Sequence, residues 1–159
     1  MRQRKLNDPK PEKSNPMLGK INHFLNLLAG RSQNLALLFL RLILAYGFYG
    51  PAMMKWHNMH AIGDWFKSLG YPFPYVNAYL AGTTEMLGVI LLVLGLGIRY
   101  ISVALIFVML VAITTVHLRH GFEAGNNGFE IPLYYALMLF ALFAFGGGKY
   151  GLDYYLRKK

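Results

Sequence analysis

Long apolar blocks alternate along this chain with short polar or glycine- and proline-rich stretches, and block lengths near twenty residues point to membrane-spanning helices. Such blocks at 35–56, 75–97, 100–118 and 131–145 predict an all-α bundle of four transmembrane helices. Only Ile98 and Arg99 separate the second and third spans, which predicts a tight antiparallel pair. Before the first span, Ile21, Phe24, Leu25, Leu27 and Leu28 recur at helical spacing around Lys20, His23 and Asn26, which predicts an interfacial amphipathic helix over 17–34. A second interfacial helix is expected over 61–69, where Ile62, Trp65, Phe66 and Leu69 form one stripe, closed by the turn Gly70-Tyr-Pro-Phe-Pro74. Residues 35–149 are thus expected to form one membrane domain. Residues 1–16 read as a disordered basic tail, and residues 150–159 read as a basic C-terminal tail after the helix-ending Gly146-Gly-Gly148 run. The basic start is similar to the opening of a signal peptide. However, the apolar run begins late and no small-residue cleavage site follows, so an uncleaved anchor is expected.

Composition agrees with this pattern. The 159 residues are 55% hydrophobic and only 14% charged, too apolar for a soluble domain of this size. The net charge of +9 does not indicate nucleic acid, because the basic residues gather at the chain ends instead of covering a face. The N-terminal segment, Arg99 and the C-terminal tail together carry twelve Lys and Arg, whereas the opposite loops carry three: Lys55, Lys67 and Arg119. Both termini are therefore expected in the cytoplasm, with loops 57–74 and 119–130 outside, as in a multi-pass protein of the bacterial cytoplasmic membrane. The absence of cysteine excludes thiol chemistry and thiolate metal ligation by this chain.

Charged residues within apolar blocks carry the most information, because a charge in hydrocarbon costs several kcal/mol unless paired or protonated. Arg41 lies six residues into the first span and admits two readings: a side chain snorkelling to the headgroups, or one half of a buried pair. Glu85 falls near the midplane of the second span, with Gly82 and Gly88 on the same face to admit another helix. An Arg41–Glu85 pair is the economical expectation, either as structural glue or as a proton or electron relay. Lys55 returns to the helix face of Arg41 fourteen positions later and also fits a headgroup lysine. Glu130 opens the fourth span, where a carboxylate suits the helix N-terminus, with Tyr134 one turn on.

His57 and His60 are three apart, as are His117 and His120, and Met53, Met54 and Met59 surround the first pair. Imidazole and thioether suit copper, so His57, His60, His117, His120, Met54 and Met59 form a candidate metal set. Interfacial histidines and core-filling methionines explain the same pattern without a metal.

Arg41, Gly47, Gly50, Lys55, Glu85 with Gly88, His117, Asn127-Gly-Phe-Glu130 and Gly146-Gly-Gly-Lys-Tyr-Gly-Leu-Asp153 occur here in an order that resembles the DoxX family of small four-helix membrane proteins. The resemblance covers about residues 35–155. It is nearest to the HvfX-type branch in Thr84-Glu85, Thr115-Val116-His117 and Gly148-Lys-Tyr. It implies a membrane bundle associated with redox work, since relatives include a quinone-linked subunit of a thiosulfate-oxidising enzyme and a component that assembles with superoxide-detoxifying and thiol-oxidising partners. The HvfX-type branch occurs with copper-associated secreted peptide systems. Carried over, Arg41, Lys55, Glu85, His117 and Glu130 form the expected intramembrane polar cluster. Three functions compete: a quinone-interacting redox subunit, a copper-handling factor built on the outer His/Met set, and a non-catalytic scaffold. All three imply the lipid bilayer and a protein partner, none involves nucleic acid, and each is compatible with a homo-oligomer.

Overall fold

The structure, a computed structural model, describes residues 16–158 and is helical with no strand among them. The segment expected to be a disordered tail lies outside the described residues, except for Pro16. Helix α1 runs over Pro16–His57, α2 over Met59–Ser68, α3 over Pro74–Leu94 and α4 over Ile98–Ala112. A π turn (Ile113–His117) and a 3-10 turn (Leu118–His120) extend α4, and a second 3-10 turn occupies Ala124–Asn126. Helices α5 (Glu130–Phe145) and α6 (Leu152–Leu156) complete the chain. Three segments are long and apolar enough to cross a membrane, namely Met17–His57, Pro74–Leu94 and Ile98–His120, while α5 is apolar but shorter.

No loop divides the expected 17–34 helix from the span after it, because both belong to α1. The Arg31-Ser-Gln-Asn34 stretch contains no proline, and Gly30 costs a helix about 1 kcal/mol without ending it. The chain nevertheless forms two compact units, residues 1–32 and 33–159. In the first, Ile21, Phe24, Leu25, Leu27 and Leu28 are all exposed. The rest of the description concerns the second unit.

Its core follows from the periodicity of the helices. Helix α1 buries Leu37, Arg41, Leu44, Ala45, Phe48 and Ala52, one face at spacings of three and four. Helix α3 buries Ala78, Gly82, Glu85, Gly88 and Leu92, so its inner face is made largely of small residues. A side chain at Gly82 would meet Lys55 of α1 and Met59 of α2, and one at Gly88 would run into Leu105 of α4, so both glycines admit a close neighbour as expected. Helix α4 contributes Ile98, Ile101, Ser102, Leu105 and Met109, and α5 contributes Pro132, Leu139 and Leu142.

The turn between α3 and α4 is Gly95-Leu96-Gly97, not the expected Ile98-Arg99. Gly95 (φ +69°) and Gly97 (φ +60°) take left-handed conformations that reverse the chain in three residues, which leaves Ile98 helical and buried. This turn is held from a distance. Gly97 N–H donates to Asp153 Oδ1 at 2.8 Å and Ile98 N–H to Asp153 Oδ2 at 3.0 Å, so one carboxylate caps the start of α4. Asp153 N–H in turn donates to Gly95 O at 3.0 Å. Within the described residues 150–158, Asp153 therefore docks this segment onto the membrane domain. Replacing Asp153 by Ala exposes two unsatisfied amides and is expected to cost about 1–2 kcal/mol, whereas Asn retains most of the cap. Thermal unfolding in mild detergent measures this, and an unchanged midpoint for Asp153→Ala would show that the cap contributes nothing.

Candidate functional site

Arg41 and Glu85 do not pair. Helices α1 and α3 run antiparallel, so Arg41, about 21 Å before Lys55 along α1, falls level with the C-terminal end of α3 at Gly95, nine to ten residues past Glu85. Lys55 takes the expected place of Arg41. Its Nζ donates to Glu85 Oε2 at 2.8 Å and Oε1 at 3.0 Å, a two-oxygen ion pair with side-chain exposures of 14% and 4%. Both groups are removed from water, so the pair offsets a desolvation cost that neither residue could meet alone.

Arg41 does not snorkel either. It is fully buried, and its Nη2 donates to Tyr150 O at 3.2 Å. Its guanidinium packs so closely on Gly95, Gly147 and Gly151 that a Cβ at any of the three would crowd it. Its Nε and Nη1 have no hydrogen-bond acceptor among the described residues, and Asp153 is the acidic group that acts on it electrostatically. The conspicuous Gly146-Gly-Gly-Lys-Tyr-Gly-Leu-Asp153 run thus has a physical basis: small residues admit the arginine while Asp153 caps α4.

At the opposite end, a cavity of about 310 Å³ opens between α1, α3, α4, α5 and the loop after α4. Lys55, Glu85, His117 and Tyr135 line it together with apolar groups such as Phe48 and Met109. Three of the five expected cluster residues meet here. Two local features of the sequence shape the walls. Pro51 on α1 lacks an amide hydrogen, so the Gly47 carbonyl one turn back loses its helical donor, and Gly47 also lets the Tyr135 side chain lie directly against the helix. On the other side, Thr115 Oγ1 donates to Val111 O at 2.6 Å and Thr114 Oγ1 to Leu110 O at 2.9 Å where α4 widens into the π turn that ends at His117. Such turns re-aim side chains and recur at functional sites.

His117 Nδ1 donates to Asn127 O at 2.8 Å, which leaves Nε2 as the acceptor of the neutral ring. The loop that supplies this carbonyl is closed by Glu130, whose Oε2 accepts Ala124 N–H at 3.0 Å, and by Phe129 N–H and Glu130 N–H donating to Gly121 O and Phe122 O. Any side chain at Gly128 would collide with the backbone of Gly121 and Glu123, so this closure requires glycine. Glu130 therefore secures the loop beside the cavity and does not form part of its wall.

The outer histidines are not gathered. Among the described residues no three His, Asp or Glu side chains come together as ligands for a metal ion. His57 and His120 each spend Nδ1 on a carbonyl of their own helical segment, Met53 O and Val116 O, and His60 packs edge-on to Tyr75. Met59 is buried and Met54 is exposed.

Fold and site together define a multi-pass, all-helical membrane protein with a charged pair buried beside a polar-floored cavity. The DoxX family model matches residues 36–118, over half the chain, and the chain belongs to that family. An uncharacterized protein of Haemophilus influenzae is 29% identical over 139 residues, covering 82% of this chain and 89% of its own length. No solved structure matches the chain.

Removing one member of a buried pair strands the other charge, at a cost of about 3–5 kcal/mol. Lys55→Met and Glu85→Gln are each expected to lower the unfolding midpoint in detergent sharply, while the Lys55→Met, Glu85→Gln double variant recovers much of the loss. Additive losses in the double variant would mean the two charges do not act as a pair.

Proposed function

We propose that this protein is a redox-associated subunit of the bacterial cytoplasmic membrane that holds the headgroup of a quinone between its helices and works with a protein partner. The observation that carries this reading is the convergence of Lys55, Glu85, His117 and Tyr135 on one cavity with apolar walls. Quinone sites need an apolar slot with a few fixed polar groups, and about 310 Å³ lies at the small end of the roughly 300–1,000 Å³ typical of ligand pockets, a size for a headgroup with its tail left in the lipid. The Lys55 ammonium and the Tyr135 hydroxyl are the donors for the two ring carbonyls. Glu85 and the free Nε2 of His117 are the groups that give and take protons. A bound quinone supplies two-electron chemistry coupled to two protons, and the electrons come from or go to the partner, because this chain has no cysteine dithiol.

In this reading α5 is a fourth, short span, both termini are cytoplasmic, and the cavity opens toward the outer face. The 17–34 stretch then lies on the inner membrane surface. Thr84-Glu85, Thr115-Val116-His117 and Gly148-Lys-Tyr support placement in the HvfX-type branch.

Protein extracted in mild detergent is expected to carry quinone, detected by solvent extraction and chromatography. Ala112→Leu, which fills the cavity without touching the ion pair, should remove most of it. Absence of quinone from the purified protein, with no response to added short-chain quinone, would overturn the reading. For topology, a C-terminal fluorescent-protein fusion should be bright and the matching alkaline phosphatase fusion inactive, and the reverse pattern would invert the orientation.

A further inference from the structure

A second cavity, of about 200 Å³, lies at the opposite end of the bundle from Lys55, at the C-terminal end of α5. It is lined by Arg99 and Arg157, by Gly146 through Lys149, and by Asp153. Arg99 and Arg157 are exposed and close no ion pair among the described residues. Arg99 Nη2 is held toward the site by donating to Ala144 O at 3.3 Å, at the end of α5. The acidic residue is already engaged, since both Asp153 oxygens accept backbone amides. Gly147 and Gly148 line the cavity and their amides donate to no described acceptor, and Lys149 N–H is anchored to Asn34 Oδ1 at 2.9 Å. Directly behind the wall, packed against Gly147, sits Arg41, fully buried with Nε and Nη1 lacking acceptors. Three cationic side chains line the site and a fourth backs it, against one carboxylate that already accepts two backbone amides. Free amides on a glycine-rich turn, flanked by arginines, form the arrangement that receives tetrahedral oxyanions.

We propose that this cavity is a phosphate-group site, with Arg99 and Arg157 as the principal ligands and the Gly147 and Gly148 amides as the floor. It is independent of the quinone reading and of the outer cavity. A phosphate there faces the favourable field of Arg41 without needing to displace any contact that holds the fold. The ordering of Gly146–Lys149 between α5 and α6 then depends partly on its occupancy. Two sources present the same group at this depth: the headgroup of an anionic phospholipid at the membrane surface, and a free phosphate ion from the aqueous side.

The test uses the full chain in detergent with two probes. Dioleoylphosphatidylglycerol is titrated against dioleoylphosphatidylcholine with native mass spectrometry as the readout, and inorganic phosphate is titrated separately without lipid. Site binding predicts preferential retention of one anionic lipid or one phosphate ion. Arg99→Gln, Arg157→Gln should weaken it about thirty-fold, from about fivefold per basic residue at a charged membrane surface. Arg157→Gln alone, at an exposed position, keeps the test sound if the double variant folds poorly. Lys67→Gln, which removes the same charge at the other end of the bundle, should change nothing. Lipid retention without phosphate binding identifies the headgroup, and phosphate binding that competes with lipid identifies the free ion. Equal retention of both lipids with no phosphate binding, or equal weakening by Lys67→Gln and Arg157→Gln, would overturn the site.

Discussion

An ammonium and a carboxylate withdrawn from water set the terms for the end of the bundle that holds Lys55 and Glu85. Glu85 lies buried on the inner face of α3, where small residues bring neighbouring helices close, so it needs a cation at one specific height on a neighbouring helix. Lys55 meets that need near the end of α1, and the pair fixes how far α1 slides along α3. Trp56 strengthens the same register by donating Nε1–H to Gly82 O at 3.2 Å. With that register fixed, Gly47, Phe48 and Pro51 are brought opposite α5, and the cavity lies between this stretch of α1 and an α4 that widens before His117.

The inner half solves a similar problem differently. Arg41 has no carboxylate in contact; its charge is met by a carbonyl, by the nearby Asp153, and by close approach of three glycine backbones. Peptide dipoles at such short range serve a delocalised guanidinium well and would serve a compact ammonium poorly, which accounts for arginine here and lysine at the outer end. Two charges four helical turns apart on one face of α1 thus organise the two ends of the bundle separately.

The helical class, the position of the apolar blocks and the burial of Arg41 and Glu85 were legible in the sequence, because burying a charge in an apolar block is expensive enough to be informative without coordinates. The partner of Glu85 was not. Lys55 and Arg41 share a helix face, so periodicity alone treats them as equals, and only the relative height of two antiparallel helices decides between them. The turn was misplaced by the same limitation: Gly95 and Gly97 read as apolar filler until their backbone angles are known. Asp153 looked like part of a polar tail because its two amide partners lie 55 and 56 positions earlier in the chain. The His and Met clustering had the opposite fault. It is local in sequence, but helix ends and a loop turn the imidazoles toward separate carbonyls.

Separate organisation of the two ends constrains how they can influence each other. Arg41 and Lys55 ride on the same stretch of α1, and a rigid helix transmits displacement along its axis with little loss, except where Pro51 interrupts its hydrogen bonding between them. Phe48, packed against Tyr135 at 5.4 Å between ring centres, lies one turn before that proline and belongs both to the cavity wall and to the buried core. A shift of the Lys55–Glu85 pair is therefore absorbed at Pro51 and felt first by Phe48 and Tyr135, before it reaches the glycine-lined seat of Arg41. The end of the bundle that holds the cavity is thus separated by Pro51 from the end clamped by Asp153 and Tyr150.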